Sequence, residues 1–69
     1  MKQFSVILPL MNEEQVFEKL YSRVKKTMDS FGASYEIIFV DDGSKDLTSE
    51  LIFKYGKKDH NVIGVKLSR

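Results

Sequence analysis

The chain has 69 residues and a mass of 8.0 kDa, which limits it to one small domain or part of a larger one. It contains no cysteine, and 42% hydrophobic with 30% charged residues is a globular composition, so disulfides, thiolate metal sites and disorder are excluded. Eleven basic against ten acidic residues leave a net charge of +1; no basic field points to nucleic acid as a partner, and no run approaches the ~20 apolar residues of a membrane span.

The first eleven residues have the charged start and apolar stretch of a signal peptide, but Ser5 and Pro9 interrupt the stretch. Asn12-Glu13-Glu14 stands where small cleavage-site residues would be, so a cytosolic segment is expected. Phe4 to Leu10 is apolar without clean alternation, as in a strand of a parallel sheet buried on both faces. Pro9 cannot donate to a ladder and belongs near the strand's end.

Asn12 reads as the N-cap of the first helix, with Gln15 in the capping-box position and Glu13 and Glu14 in the first turn. Val16, Phe17, Leu20, Val24, Met28 and Phe31 form one apolar stripe at helical spacing, and Gly32 ends the helix. Tyr35 to Val40 is a second strand, and Asp41-Asp42-Gly43-Ser44-Lys45-Asp46 is turn chemistry. A second helix is predicted to start with Ser44 or Asp46 as its cap, to bury Leu47, Leu51, Ile52 and Tyr55, and to stop at Gly56. Val62 to Leu67 is a third strand, in which Ile63, Val65 and Leu67 alternate with Gly64, Lys66 and Ser68.

The order β-α-β-α-β requires right-handed crossovers and a parallel sheet, so the predicted fold class is α/β, one half of a Rossmann-like nucleotide-binding domain. No helix follows the third strand. One face of the sheet is therefore expected bare, with Ile37, Phe39 and Val65 exposed, and the chain is expected to be part of a longer protein.

Ligands of open parallel sheets bind beyond the carboxyl ends of the strands. Residues 9–14 and 41–44 lie there. The first of these turns has no glycine and the chain has no G-x-x-x-x-G-K, which argues against nicotinamide, flavin and P-loop chemistry. A carboxylate after the second strand can accept from a ribose hydroxyl or from the ring N–H of uracil or guanine. Asp42-Gly43 is also an ordinary turn, Ser44 and Asp46 ordinary caps, and Glu13 and Glu14 ordinary dipole complements. Asp41 beside Asp42 shifts the balance toward function, because two adjacent carboxylates repel and one cap would suffice. His60 has no second ligand in view, Tyr21, Phe17 and Phe31 read as core, and Lys25-Lys26 and Lys57-Lys58 read as solvated faces.

Ser5-Val6-Ile7-Leu8-Pro9, then Asn12-Glu13-Glu14, then an amphipathic helix, then Ile37 to Asp46 with Thr48, and finally Val65 to Arg69, together resemble the start of a family 2 inverting glycosyltransferase of GT-A fold. The likeness is to the polyprenol-phosphate branch, which includes dolichol-phosphate mannosyltransferase and undecaprenyl-phosphate glucosyltransferases, and it covers the whole chain. It implies that residues 1–69 are the N-terminal nucleotide-binding part of a glycosyltransferase domain. That enzyme would transfer a hexose from a UDP- or GDP-sugar to a polyprenyl phosphate at the inner face of the membrane.

By position, Pro9, Leu10 and Met11 would line the base, Glu13 would contact the nucleoside, and Asp42, with Asp41 beside it, would take the base or ribose edge. Met11 stands where the family usually has tyrosine. The resemblance puts the ligands of a Mg2+ or Mn2+ ion, and the catalytic base, beyond Arg69. No catalytic or metal-binding residue is therefore expected within the chain, which alone is expected to be inactive. Membrane association is expected through parts not present here, and a homo-oligomer is compatible with the reading. A non-catalytic nucleotide-binding or interaction module is the alternative. A phosphoryl-transfer receiver domain fits less well, since its paired acids follow the first strand.

Overall fold

A computed structural model describes residues 3–67. The chain runs β1 (Phe4–Leu10), α1 (Phe17–Asp29), β2 (Tyr35–Asp41), α2 (Thr48–Lys58) and β3 (Val62–Lys66). The strands form one parallel sheet in the order β1-β2-β3, the α/β arrangement expected. Pro9 lies inside β1 opposite Val40; among the described residues β1 stands at the edge of the sheet, where one side of the backbone needs no ladder donor.

Consecutive strands laid down in one direction by right-handed crossovers place both helices on the same face. Phe17 of α1 stacks at 4.9 Å on Phe39 of β2 and at 5.2 Å, edge on, against Tyr55 of α2. Phe17, Ile37, Phe39 and Ile52 are fully buried, with Leu10, Met28, Tyr35 and Val62 around them. This corrects the expected exposure of Ile37 and Phe39: they form the centre of the core. The opposite face shows Ile7, Ile63 and Val65 exposed and Ile38 and Val40 half-buried, so Val65 alone of the three lies where expected. Gly64 faces α2 so closely that a Cβ there would come within 2.7 Å of Ile52 Cγ2 and 2.9 Å of Phe53 Cε1.

The predicted caps are displaced. Helix α1 begins at Phe17, after Val16 and with no side-chain cap, because Asn12 is engaged elsewhere and residues 13–16 form a turn closed by Val16 N–H to the Glu13 carbonyl. Val16 and Phe31, assigned to the apolar stripe, are exposed; Phe31 lies beyond the helix, its ring 6.3 Å from that of Phe4. Gly32, at φ 67, does end that region. In α2, Gly56 is an interior residue and the stop comes at extended Asp59, while Leu47, expected in the core, is half exposed. Lys25 is not a solvated charge but pairs with Asp59 at 3.2 Å. Ser68, Arg69 and the first two residues lie outside the described residues.

Candidate functional site: the loops at the carboxyl ends of β1 and β2

Strand register brings the two strand-end segments together. Leu10 pairs with Asp41, and the Asp42 N–H donates to the Leu10 carbonyl at 2.9 Å. Two left-handed residues turn the chain away from the sheet there, Asn12 at φ 53 and Gly43 at φ 83. Both are residue types that reach this region at little cost.

The loops are joined by side chains. The Asn12 N–H donates to Ser44 Oγ at 3.0 Å, and Asn12 Oδ1 accepts the Lys45 N–H at 2.8 Å. The Glu13 N–H donates to Thr48 Oγ1 at 2.8 Å and the Glu14 N–H to Asp46 Oδ2 at 3.2 Å. Asp46 Oδ1 also accepts the N–H and hydroxyl of Thr48, at 2.9 and 2.5 Å. Asp46 thus serves an amide at the start of α2, as a cap would, and also reaches across to the first loop. Ser44 does not cap α2; its N–H donates to Asp41 Oδ1 at 2.9 Å.

The six residues predicted at the site all lie at this rim but face different ways. Met11 and Pro9 are exposed, and Glu13 and Asp42 are half-buried. Leu10 is nearly buried and Asp41 is fully buried. Their side chains turn toward the helices, so they shape the rim from beneath. Burial alone would push the Asp41 carboxyl up, but hydrogen bonds from Ser44, with the charge of Lys66, hold it below the usual aspartate range. Hydrogen bonds likewise hold Asp46 low against desolvation, those from Thr48 foremost and the Glu14 N–H among them. A cleft of about 280 Å³ opens beside this seam, lined by Asn12, Glu13, Glu14, Gln15, Val16 and Asp46. Next to it a more apolar hollow of about 370 Å³ runs between Leu10, Glu13, Val16, Lys19, Leu20 and Arg23.

Sequence reasoning missed the joint roles of Asn12, Ser44, Asp46 and Thr48. The available signal was redundancy, since Ser44, Asp46 and Thr48 are three capping residues for one helix. His60 is exposed, and no group of three or more His, Cys, Asp or Glu among the described residues is arranged to hold a metal.

Three parallel strands alternating with two helices form an α/β arrangement of the kind found in one half of a Rossmann-like GT-A domain. Residues 5–69 match the family described as Glycosyl transferase family 2, and the chain belongs to that family. It is 39% identical over 67 residues to the uncharacterized glycosyltransferase YkcC of Bacillus subtilis, covering 97% of this chain and 21% of that protein. It is 35% identical over 69 residues to the undecaprenyl-phosphate 4-deoxy-4-formamido-L-arabinose transferase of Salmonella paratyphi B, covering 99% of this chain and 21% of that protein. The chain thus spans about a fifth of the length of these relatives.

Proposed function

We propose that this chain is the nucleotide-binding part of an inverting glycosyltransferase that moves a sugar from a UDP- or GDP-sugar to a polyprenyl phosphate. The observation that carries the reading is the half-buried Asp42 carboxylate, set by the Asp42–Leu10 backbone bond at the carboxyl end of the sheet in a chain of this family. An acceptor-only group there suits the ring N–H of uracil or guanine, or a ribose hydroxyl. Met11 and Pro9, both exposed beside it, offer an apolar surface to a base, methionine through its polarizable sulfur. Glu13 sits across the seam for the nucleoside. Leu10 and Asp41 act from below, by fixing the turn.

The acceptor is proposed from the relative named an undecaprenyl-phosphate transferase. That relative is named for a substituted arabinose, a pentose, so the proposed donor sugar is not restricted to hexoses. In the proposed reaction an acceptor phosphate oxygen attacks the anomeric carbon as its bond to the nucleoside diphosphate breaks. The electron pair leaves with the diphosphate, and the configuration inverts. No residue of this chain is assigned to that step. A Mg2+ or Mn2+ ion held by residues outside the chain belongs to the proposal. So does a place at the cytoplasmic face of a membrane, reached through other segments, since no helix of the described residues is long and apolar enough to cross one.

The test is titration calorimetry of UDP and GDP, with manganese present, on the intact protein, Asp42→Asn and Glu50→Gln. Hydrogen bonds to a charged acceptor contribute about 1.5–3 kcal/mol, so Asp42→Asn is expected to weaken binding roughly tenfold to a hundredfold. Glu50→Gln, which removes an exposed carboxylate on α2, is expected to leave it unchanged. Equal affinity in all three proteins would show that Asp42 is only a turn residue.

A further inference from the structure

Three consecutive amides of the first loop, Asn12, Glu13 and Glu14, donate to three different side chains of the second, Ser44, Thr48 and Asp46. None of these side-chain oxygens is at the N-cap position of the helix that follows its loop; α2 has Leu47 there, without a cap bond. The Thr48 hydroxyl is fully buried and has one proton. It gives that proton to Asp46 Oδ1, which turns a lone pair toward the Glu13 N–H. The Asp46 carboxylate in turn gathers two hydrogen bonds from Thr48 and one from the Glu14 N–H. The result is a closed ring that runs from Glu13 through Thr48 and Asp46 back to Glu14.

From this ring we infer that Asp46 and Thr48 are positioning residues: they fix the Glu13–Glu14 turn against the start of α2 and so set Glu13 relative to Asp42, without touching the ligand themselves. The inference rests on the nucleotide reading above for its effect on affinity, whereas the locking of the turn stands independently of it. A valine in place of Thr48 has nearly the same shape but neither donates nor accepts, so the Glu13 N–H loses its acceptor. A serine keeps the hydroxyl. At Asp46, alanine removes the acceptor of the Glu14 N–H from a position that is only half-buried.

Hydrogen exchange of the intact protein, wild type against Thr48→Val, Thr48→Ser and Asp46→Ala, reads the lock directly. Amides that lose a hydrogen-bond partner exchange faster through local opening alone. Exchange is expected to rise about tenfold or more at Glu13 and Glu14 in Thr48→Val and Asp46→Ala, with Ile37 and Phe39 unchanged, and to return toward wild type in Thr48→Ser. Affinity for UDP or GDP is expected to fall about three- to tenfold in the first two variants and to recover in the third. If Thr48→Val unfolds, Asp46→Ala decides.

Unchanged exchange at Glu14 in Asp46→Ala would overturn the lock. Exchange rising equally at Ile37 and Phe39 would make these ordinary stability residues. A faster-exchanging loop with wild-type affinity would overturn the positioning role. Wild-type protein that binds neither nucleotide would instead overturn the functional reading, and the exchange data would still judge the lock.

Discussion

At the amino ends of the strands, Asp59 lies between the Lys25 ammonium, 3.2 Å away, and the Tyr21 hydroxyl, which donates to it at 2.6 Å. It also accepts the Asn61 N–H at 2.9 Å. Tyr35 completes the group by donating to Asp29 at 2.6 Å. At the carboxyl ends, by contrast, Asp46 is held by amide N–H groups and a hydroxyl, and Asp41 by Ser44 with Lys66 as a charged neighbour. A cation partner cancels much of a carboxylate's charge, whereas neutral donors immobilise a carboxylate and leave its charge in place.

The largest effect on stability that separates the two ends is expected from Asp59→Ala. It removes the partner of Lys25 and Tyr21 and the acceptor of the Asn61 N–H together. The cost is set at about 2 kcal/mol, discounted because the Lys25 side chain is 37% exposed. Urea unfolding of the intact protein measures it. Nucleotide affinity is expected to stay at the wild-type level, and a parallel loss of affinity would show that the two ends are not independent.

A smaller effect separates them by pH. Burial first, then the hydrogen bond to Asp59 and its charge, push the Tyr21 hydroxyl up to about 12. Its folded value is raised, so its contribution is complete below the ordinary tyrosine value of about 10 and is lost as pH climbs to about 12. Asp41, Asp46 and Asp59 are all held low. Their contributions are present above the ordinary aspartate value of about 4 and disappear as pH falls below it. Acid should therefore loosen both ends, and tyrosine ionisation the amino end. Tyr21→Phe is expected to cost about 1 kcal/mol at neutral pH, a difference that closes as pH approaches 12. A gap that stays constant with pH would mean that the Tyr21–Asp59 bond contributes nothing.

The strands and the amphipathic faces were legible in the sequence because they depend on spacing alone: Phe17, Leu20, Val24 and Met28 recur at helical period whatever they pack against. Which face of β2 the helices cover was not legible. Ile37 and Phe39 alternate with Ile38 and Val40, equally apolar, and the choice follows from both crossovers running the same way across the sheet. The caps were misread for a related reason. Asn12, Ser44, Asp46 and Thr48 carry short polar side chains that can serve a neighbouring amide or, at similar energy, an amide brought close from more than thirty residues away. Sequence shows the first option and is silent about the second. The rim's composition was visible as paired acids, but not that Asp41 turns inward while Asp42 is left half-buried at the edge.

The most direct test of the account is where the intact protein gains hydrogen-exchange protection when UDP or GDP is added with magnesium. Segments 9–15 and 41–48 are predicted to become protected, while 21–25 and 59–61 exchange as they do without nucleotide. Protection at the Tyr21–Asp59 end, or none at either strand-end loop under saturating nucleotide, would contradict it.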